Sequence, residues 1–150
     1  MKGSEDLDRR DWILLALLAS AEHKLTAVKL QKTLFLLGAR RRTEVGNDFY
    51  EFRPYHYGPF DANVYHDADL LRDEGLIEVD RSQGRSLRRY KLTEAGEVAA
   101  ERAVQRRPGN AQAYLTNVVT WAEPLPFNAL VRAIYDEFPE MRANSIFEER

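Results

Sequence analysis

The chain has 150 residues, 44% hydrophobic and 31% charged, with a formal net charge of -2. That balance excludes a disordered chain and gives one globular domain long enough to bury a core. With no cysteines, disulfides, thiolate metal sites and a cysteine nucleophile are excluded, and a reducing compartment is the fitting one.

Trp12–Ala19 is the longest apolar run. It falls short of the roughly 20 residues that span a bilayer. It also follows Glu5, Asp6, Asp8 and Asp11, the wrong flank for a secretory signal. The expectation is a cytoplasmic protein without membrane contact. Asp8 or Asp11 caps a first helix running to about His23, apolar on nearly every side and therefore central to the core. Thr26 caps a second helix to about Arg40. Leu30, Leu34 and Leu37 form its inward stripe, and Lys29 and Lys32 lie off it. Arg40, Arg41 and Arg42 follow, suited to the negative end of a helix dipole or to a phosphate backbone.

Thr43–Asp48 reads as a loop. Phe49–Phe60 is dense in aromatic residues, and Pro54 and Pro59 hold it out of helix. It reads as core and lid or as a partner-binding surface, with a short extended part pairing with a β-hairpin further on. A third helix starts at Pro59 or Asp61 and runs to Glu74, with Val64, Ala68 and Leu71 inward and Gly75 as its exit. Two alternating strands follow, Leu76–Arg81 and Leu87–Leu92, joined by the turn Ser82–Ser86 with Gly84 at its tip. Thr93 opens a fourth helix to about Arg107, and Pro108–Asn110 breaks it. Ala111–Trp121 and Phe127–Phe138 complete the helices, the latter with Phe127, Leu130, Val131, Ile134 and Tyr135 facing in. The fold class is mainly α (α+β). It is a single domain with a winged-helix core over about 8–107, a two-stranded hairpin as the wing, and a helical extension over about 110–147.

A DNA-reading winged helix places Arg, Lys, Asn or Gln on the helix before the wing. Here that helix carries Asp61, Asp67, Asp69, Asp73 and Glu74 against Arg72. Carboxylates facing phosphates are repelled. The wing argues the other way. Arg81, Arg85, Arg88 and Arg89 cluster on it and suit a phosphate backbone, or else pair with Glu78, Asp80 and the acids of the preceding helix. Catalysis finds little support. His23, His56 and His66 lack ligand spacing, no Gly-rich phosphate loop is present, and no serine sits in a nucleophile elbow. No cofactor or metal is expected.

Three stretches resemble a known family: KLQKTLFLLG at Lys29–Gly38, FYEFRPYHYGPFDANVYHDADLL at Phe49–Leu71, and GLIEV with YKLTEAG at Gly75–Val79 and Tyr90–Gly96. Together they are similar to Panacea or SocA-like antitoxin domains and the related YwgA-like group, as is YDEFPEMRANSIF at Tyr135–Phe147. Phe60 is a departure, because antitoxin domains more often carry a small aliphatic residue after the Gly-Pro. The positions carried over are Lys29, Leu30, Gln31 and Lys32, then Tyr57, Gly58 and Pro59. The resemblance implies a non-enzymatic protein that neutralises a partner toxin by binding it, or delivers that toxin to a protease. As fold determinants, Leu30 would be core, Gly58 and Pro59 would set a turn, and Gln31 would hydrogen-bond the neighbouring loop.

The expected partner is a cognate protein, met through Tyr55, Tyr57, Phe60, Asp61, Asp67 and Asp73. The alternative is a DNA-binding regulator using Arg81, Arg85, Arg88 and Arg89. A homodimer is compatible with either.

Overall fold

The computed structural model describes residues 8–81, 88–107 and 109–147. Among these the fold is mainly helical α+β, with seven α-helices and two small antiparallel sheets.

Helix α1, Asp11–Ala19, has Arg10 as its N-cap and no side-chain cap, so the expected Asp8 or Asp11 cap is not formed; the Asp8 carboxylate instead accepts the Arg10 N–H at 2.8 Å, one residue ahead of the helix. It stops at Ser20, short of His23, where the backbone turns extended (ψ 159°). The chain then enters strand β1, Lys24–Thr26, which sequence patterning does not reveal: three residues are too few to display alternation. Thr26 caps α2, Ala27–Arg40, accepting the Lys29 N–H. Where a loop was expected, Arg42–Val45 forms the one-turn helix α3.

The aromatic stretch folds into its own hairpin, β2 (Arg53–Tyr55) with β3 (Gly58–Phe60). Pairing with the wing is thereby corrected. Pro54 lies opposite Pro59, and a proline, having no N–H to give, is poorly suited to the interior of a larger sheet. Helix α4, Ala62–Asp73, begins after β3, with the Asp61 side chain accepting the Asn63 N–H at 2.8 Å. Gly75 (φ 80°) lets the Leu76 N–H turn back onto the Leu71 carbonyl at 2.9 Å. Strands β4 (Ile77–Asp80) and β5 (Arg89–Leu92) follow, and β1 adds to the far side of β5 to give the order β1-β5-β4. The expected turn at 82–86 lies outside the described residues.

Helix α5, Glu94–Arg106, is capped by Thr93. Helices α6 (Asn110–Ala122) and α7 (Phe127–Glu137) and a 3-10 turn at Pro139–Arg142 complete the fold. As its all-round apolarity requires, α1 is central: residues 11–17 are buried, and it packs on α2, α5 and α6. Leu115 and Val119 of α6 belong to that same core. A second cluster of Phe35, Leu36, Val118, Ala122, Leu130 and Ile134 seats α7 on α2 and α6. Among the described residues no helix is long and apolar enough to cross a membrane.

Candidate functional site

Residues 30–38 of α2 are all buried. A helix covered on several sides must bury its polar residues too, and each then needs a hydrogen-bond partner. Gln31 finds one in the backbone of Asp61. Its Nε2 donates to the Asp61 carbonyl at 2.9 Å, and its Oε1 accepts the Asp61 N–H at 3.1 Å. The Lys32 Nζ donates to the Pro59 carbonyl at 3.2 Å. Lys32, placed off the inward stripe by its sequence position, is in fact 4% exposed, and burial pulls its amine down to about 8. Lys29 is only half-buried, and its Nζ donates to the Glu123 carbonyl at the end of α6. Leu30 is fully buried in the core.

The two quoted motifs therefore meet. Gly58 (φ 100°) takes a conformation that favours glycine, and a Cβ added there would lie 3.6 Å from Lys32 Cε and 3.7 Å from Tyr135 Cε1. Pro59 is buried beside it. On the other side, the C-terminal segment holds the hairpin: Asn144 Nδ2 donates to the Pro54 carbonyl at 3.2 Å, and the Ile146 N–H to the His56 carbonyl at 2.9 Å.

What this scaffold projects is aromatic. Tyr55 and Tyr57 are 49% and 45% exposed, and Phe127 and Ile146 are 38% and 59% exposed. Tyr55 stacks between His56 and Phe60, at centroid distances of 4.3 and 5.0 Å. Tyr57 meets the Phe127 ring edge-on at 5.5 Å, and Phe127 meets Phe147 at 6.2 Å. Phe127 thus stands half out of the protein rather than facing in. Sequence reading missed Phe127 and Ile146 as surface residues. One signal was available: Phe127 is the first residue of its helix, beyond two prolines, where an inward stripe is weakest. Phe60 is half-buried, its ring edge-on to Tyr65 at 5.5 Å.

The acidic residues of α4 divide. Asp67, expected on a wet face, is 5% exposed; its Oδ2 accepts from Tyr50 Oη at 2.7 Å and Arg9 Nε at 2.8 Å. The Tyr50 phenol is pushed up by burial first and by the adjacent Asp67 carboxylate second. Asp61 is occupied as the cap of α4 and by the Glu51 N–H at 2.8 Å. Asp73 is the outward one, 3.1 Å from Arg72. Asp67 and Asp61 therefore hold the fold rather than offering a charged contact face.

On β4–β5, the strand pair expected as a wing, Arg81 lies 3.7 Å from Asp69 with its side chain 53% exposed. The Arg88 guanidinium sits over the rings of Tyr65 and Tyr90, 4.4 and 5.6 Å from their centroids, and its Nε is buried without a hydrogen-bond partner. Arg89 is half-buried in β5, across from Thr26 and Asp80. Arg85 lies outside the described residues. The three histidines stand apart: His23 bonds Glu97 at 2.7 Å, His56 stacks on Tyr55, and His66 is exposed on α4.

Compared with known proteins, the chain matches no family model, no curated protein and no solved structure.

Proposed function

We propose that this chain is a non-enzymatic protein-interaction module with a winged-helix core. It resembles SocA-like antitoxins in binding a partner toxin directly, and the contact is the β2–β3 hairpin. The observation that carries this reading is the use of the two motifs. Gln31 and Lys32 fix the backbone of 59–61 from within, and the hairpin they hold carries Tyr55 and Tyr57 half-exposed beside Phe127 and Ile146. Rigid tyrosines supply large contact area at low entropic cost, as protein-recognition surfaces require. The winged-helix assignment draws support from the order β1-β5-β4, with β4 and β5 as the wing.

The alternative, a DNA-binding regulator, draws less support. Arg88 is taken up by Tyr65 and Tyr90, and Arg81, half-exposed, already has Asp69 at 3.7 Å. Affinity capture of the tagged chain from its native lysate at moderate salt tests the reading. One stoichiometric small protein, lost in folded Tyr57→Ser, is expected. Co-captured nucleic acid with no protein partner would overturn it.

A further inference from the structure

Helix α6, NAQAYLTNVVTWA, holds no charged residue across its 13 positions, in a chain that is 31% charged. Its inner face, Ala111, Leu115, Val118, Val119 and Ala122, is buried. Its outer face, Ala113, Thr116, Asn117 and Thr120 with Trp121, is exposed. Other outer faces differ: α4 shows Arg72 and Asp73, α5 shows Glu101 and Arg102, and α7 shows Asp136 and Glu137.

The face is also less polar than its composition suggests. Thr116 Oγ1 donates to the Gln112 carbonyl at 3.1 Å and Thr120 Oγ1 to the Thr116 carbonyl at 2.8 Å. Both hydroxyls are satisfied on the helix's own backbone. Trp121 is 45% exposed. It borders a groove of about 240 Å³ between α2, α6 and α7, whose floor includes Leu36, Val118 and Ile134 and whose rim carries Arg40 and Glu137.

We propose that this face is the contact between two copies of the chain, packed with α6 antiparallel to α6 about a two-fold axis. An isologous contact sets one surface against itself. A charge near the axis would meet its own like, so freedom from charge is what this geometry demands, whereas a foreign partner could be met with complementary charge. Side-chain size also fits. With Asn117 on the axis, Trp121 of one copy falls on Ala113 of the other, largest against smallest. The two Asn117 amides face each other, donor to acceptor. Arg40, on the groove rim with Tyr114, is already paired with Glu137 and set over the Phe138 ring, so it borders the incoming indole as a neutralised edge.

The helix is about 20 Å long. One such face buries less than the roughly 800 Å² per partner of a standard interface, so the pair is concentration-dependent. The contact is independent of the hairpin reading.

Sedimentation of the full chain from about 1 to about 200 µM tests it, with affinities of weak interfaces setting that range. The expected result is a rise from one to two copies, with a concentration-dependent blue shift of Trp121 emission that is absent in Trp121→Phe. Asn117→Arg and, separately, Thr116→Lys should weaken the pair at least about tenfold by placing like charges face to face, with unfolding midpoints unchanged. A monomer at every concentration, a higher oligomer, or a dimer indifferent to both variants would overturn the proposal.

Discussion

Among the described residues two antiparallel strand pairs of similar size, β4–β5 and β2–β3, are anchored in different ways. The β4–β5 pair is backed by β1 as a third strand; of its described arginines, Arg88 lies over aromatic rings, Arg89 is half-buried, and Arg81 lies 3.7 Å from Asp69 with its side chain still 53% exposed. The aromatic hairpin, β2–β3, has no third strand in its sheet. It is fixed through its backbone by Gln31, Lys32, Asn144 and the Ile146 N–H, which leaves Tyr55 and Tyr57 outward. The aromatic hairpin, anchored through its backbone by residues outside its own sheet, keeps its tyrosines outward, whereas β4–β5 is built into a three-stranded ladder. On this comparison the aromatic hairpin is the proposed contact surface, and β4–β5 belongs to the frame.

The largest expected effect is at the root of the wing. A Cβ on Gly96 would sit 1.8 Å from the Leu76 carbonyl oxygen, just before β4. Backbone cannot rotate away as a side chain can, so Gly96→Ala should cost about 3 kcal/mol or more. Denaturant unfolding reads this directly, and a cost below about 1 kcal/mol would break the claim that the wing is framework.

Lys32 is the matching anchor of the aromatic hairpin. Burial pulls its amine down to about 8, below the ordinary lysine value of 10.5. Between these values the unfolded chain binds more protons than the folded one, so stability rises with pH across that window. Lys32→Met removes the buried charge. Near pH 7 the gain from removing the buried charge, at most about 3 kcal/mol, outweighs the lost bond to the Pro59 carbonyl, about 1 kcal/mol; the balance falls with pH and turns into a net loss by about pH 10.5. Unfolding midpoints of parent and variant across that range check it. Parallel pH dependence in the two would contradict the buried amine.

A smaller loss is expected at Asp67→Ala. It leaves the buried Tyr50 hydroxyl without its acceptor and Arg9 without its carboxylate, about 2 kcal/mol. Asp73→Ala, on the exposed side of the same helix, should stay within about 0.5 kcal/mol. Equal effects would mean that α4 has no structural carboxylate after all.

Much of this arrangement was readable in the sequence where local chemistry decides it. Thr26, Asp61 and Thr93 cap helices as their positions suggest, Gly75 makes the left-handed exit, and Gln31 reaches the neighbouring loop. What escaped depends on contacts between distant residues. β1 is a strand because Leu25 lies opposite Tyr90, and no pattern within Lys24–Thr26 could show that. Lys32 and Asp67 read as wet because a helical wheel assumes one buried face, while α2 is covered on several and α4 has Tyr50 and Arg9 across from Asp67. Ile146 joins the candidate surface only because its N–H finds His56 from the far end of the chain.

The most direct test is a side-by-side titration of the captured partner against the parent, Tyr55→Ser/Tyr57→Ser and Arg81→Ser/Arg89→Ser, each first shown to be folded. The hairpin variant should lose at least about tenfold in affinity, since exposed aromatic anchors carry interface energy out of proportion to their number, and the wing variant should stay within about twofold of the parent. Loss confined to the wing variant, with the hairpin variant binding as the parent does, would contradict the account.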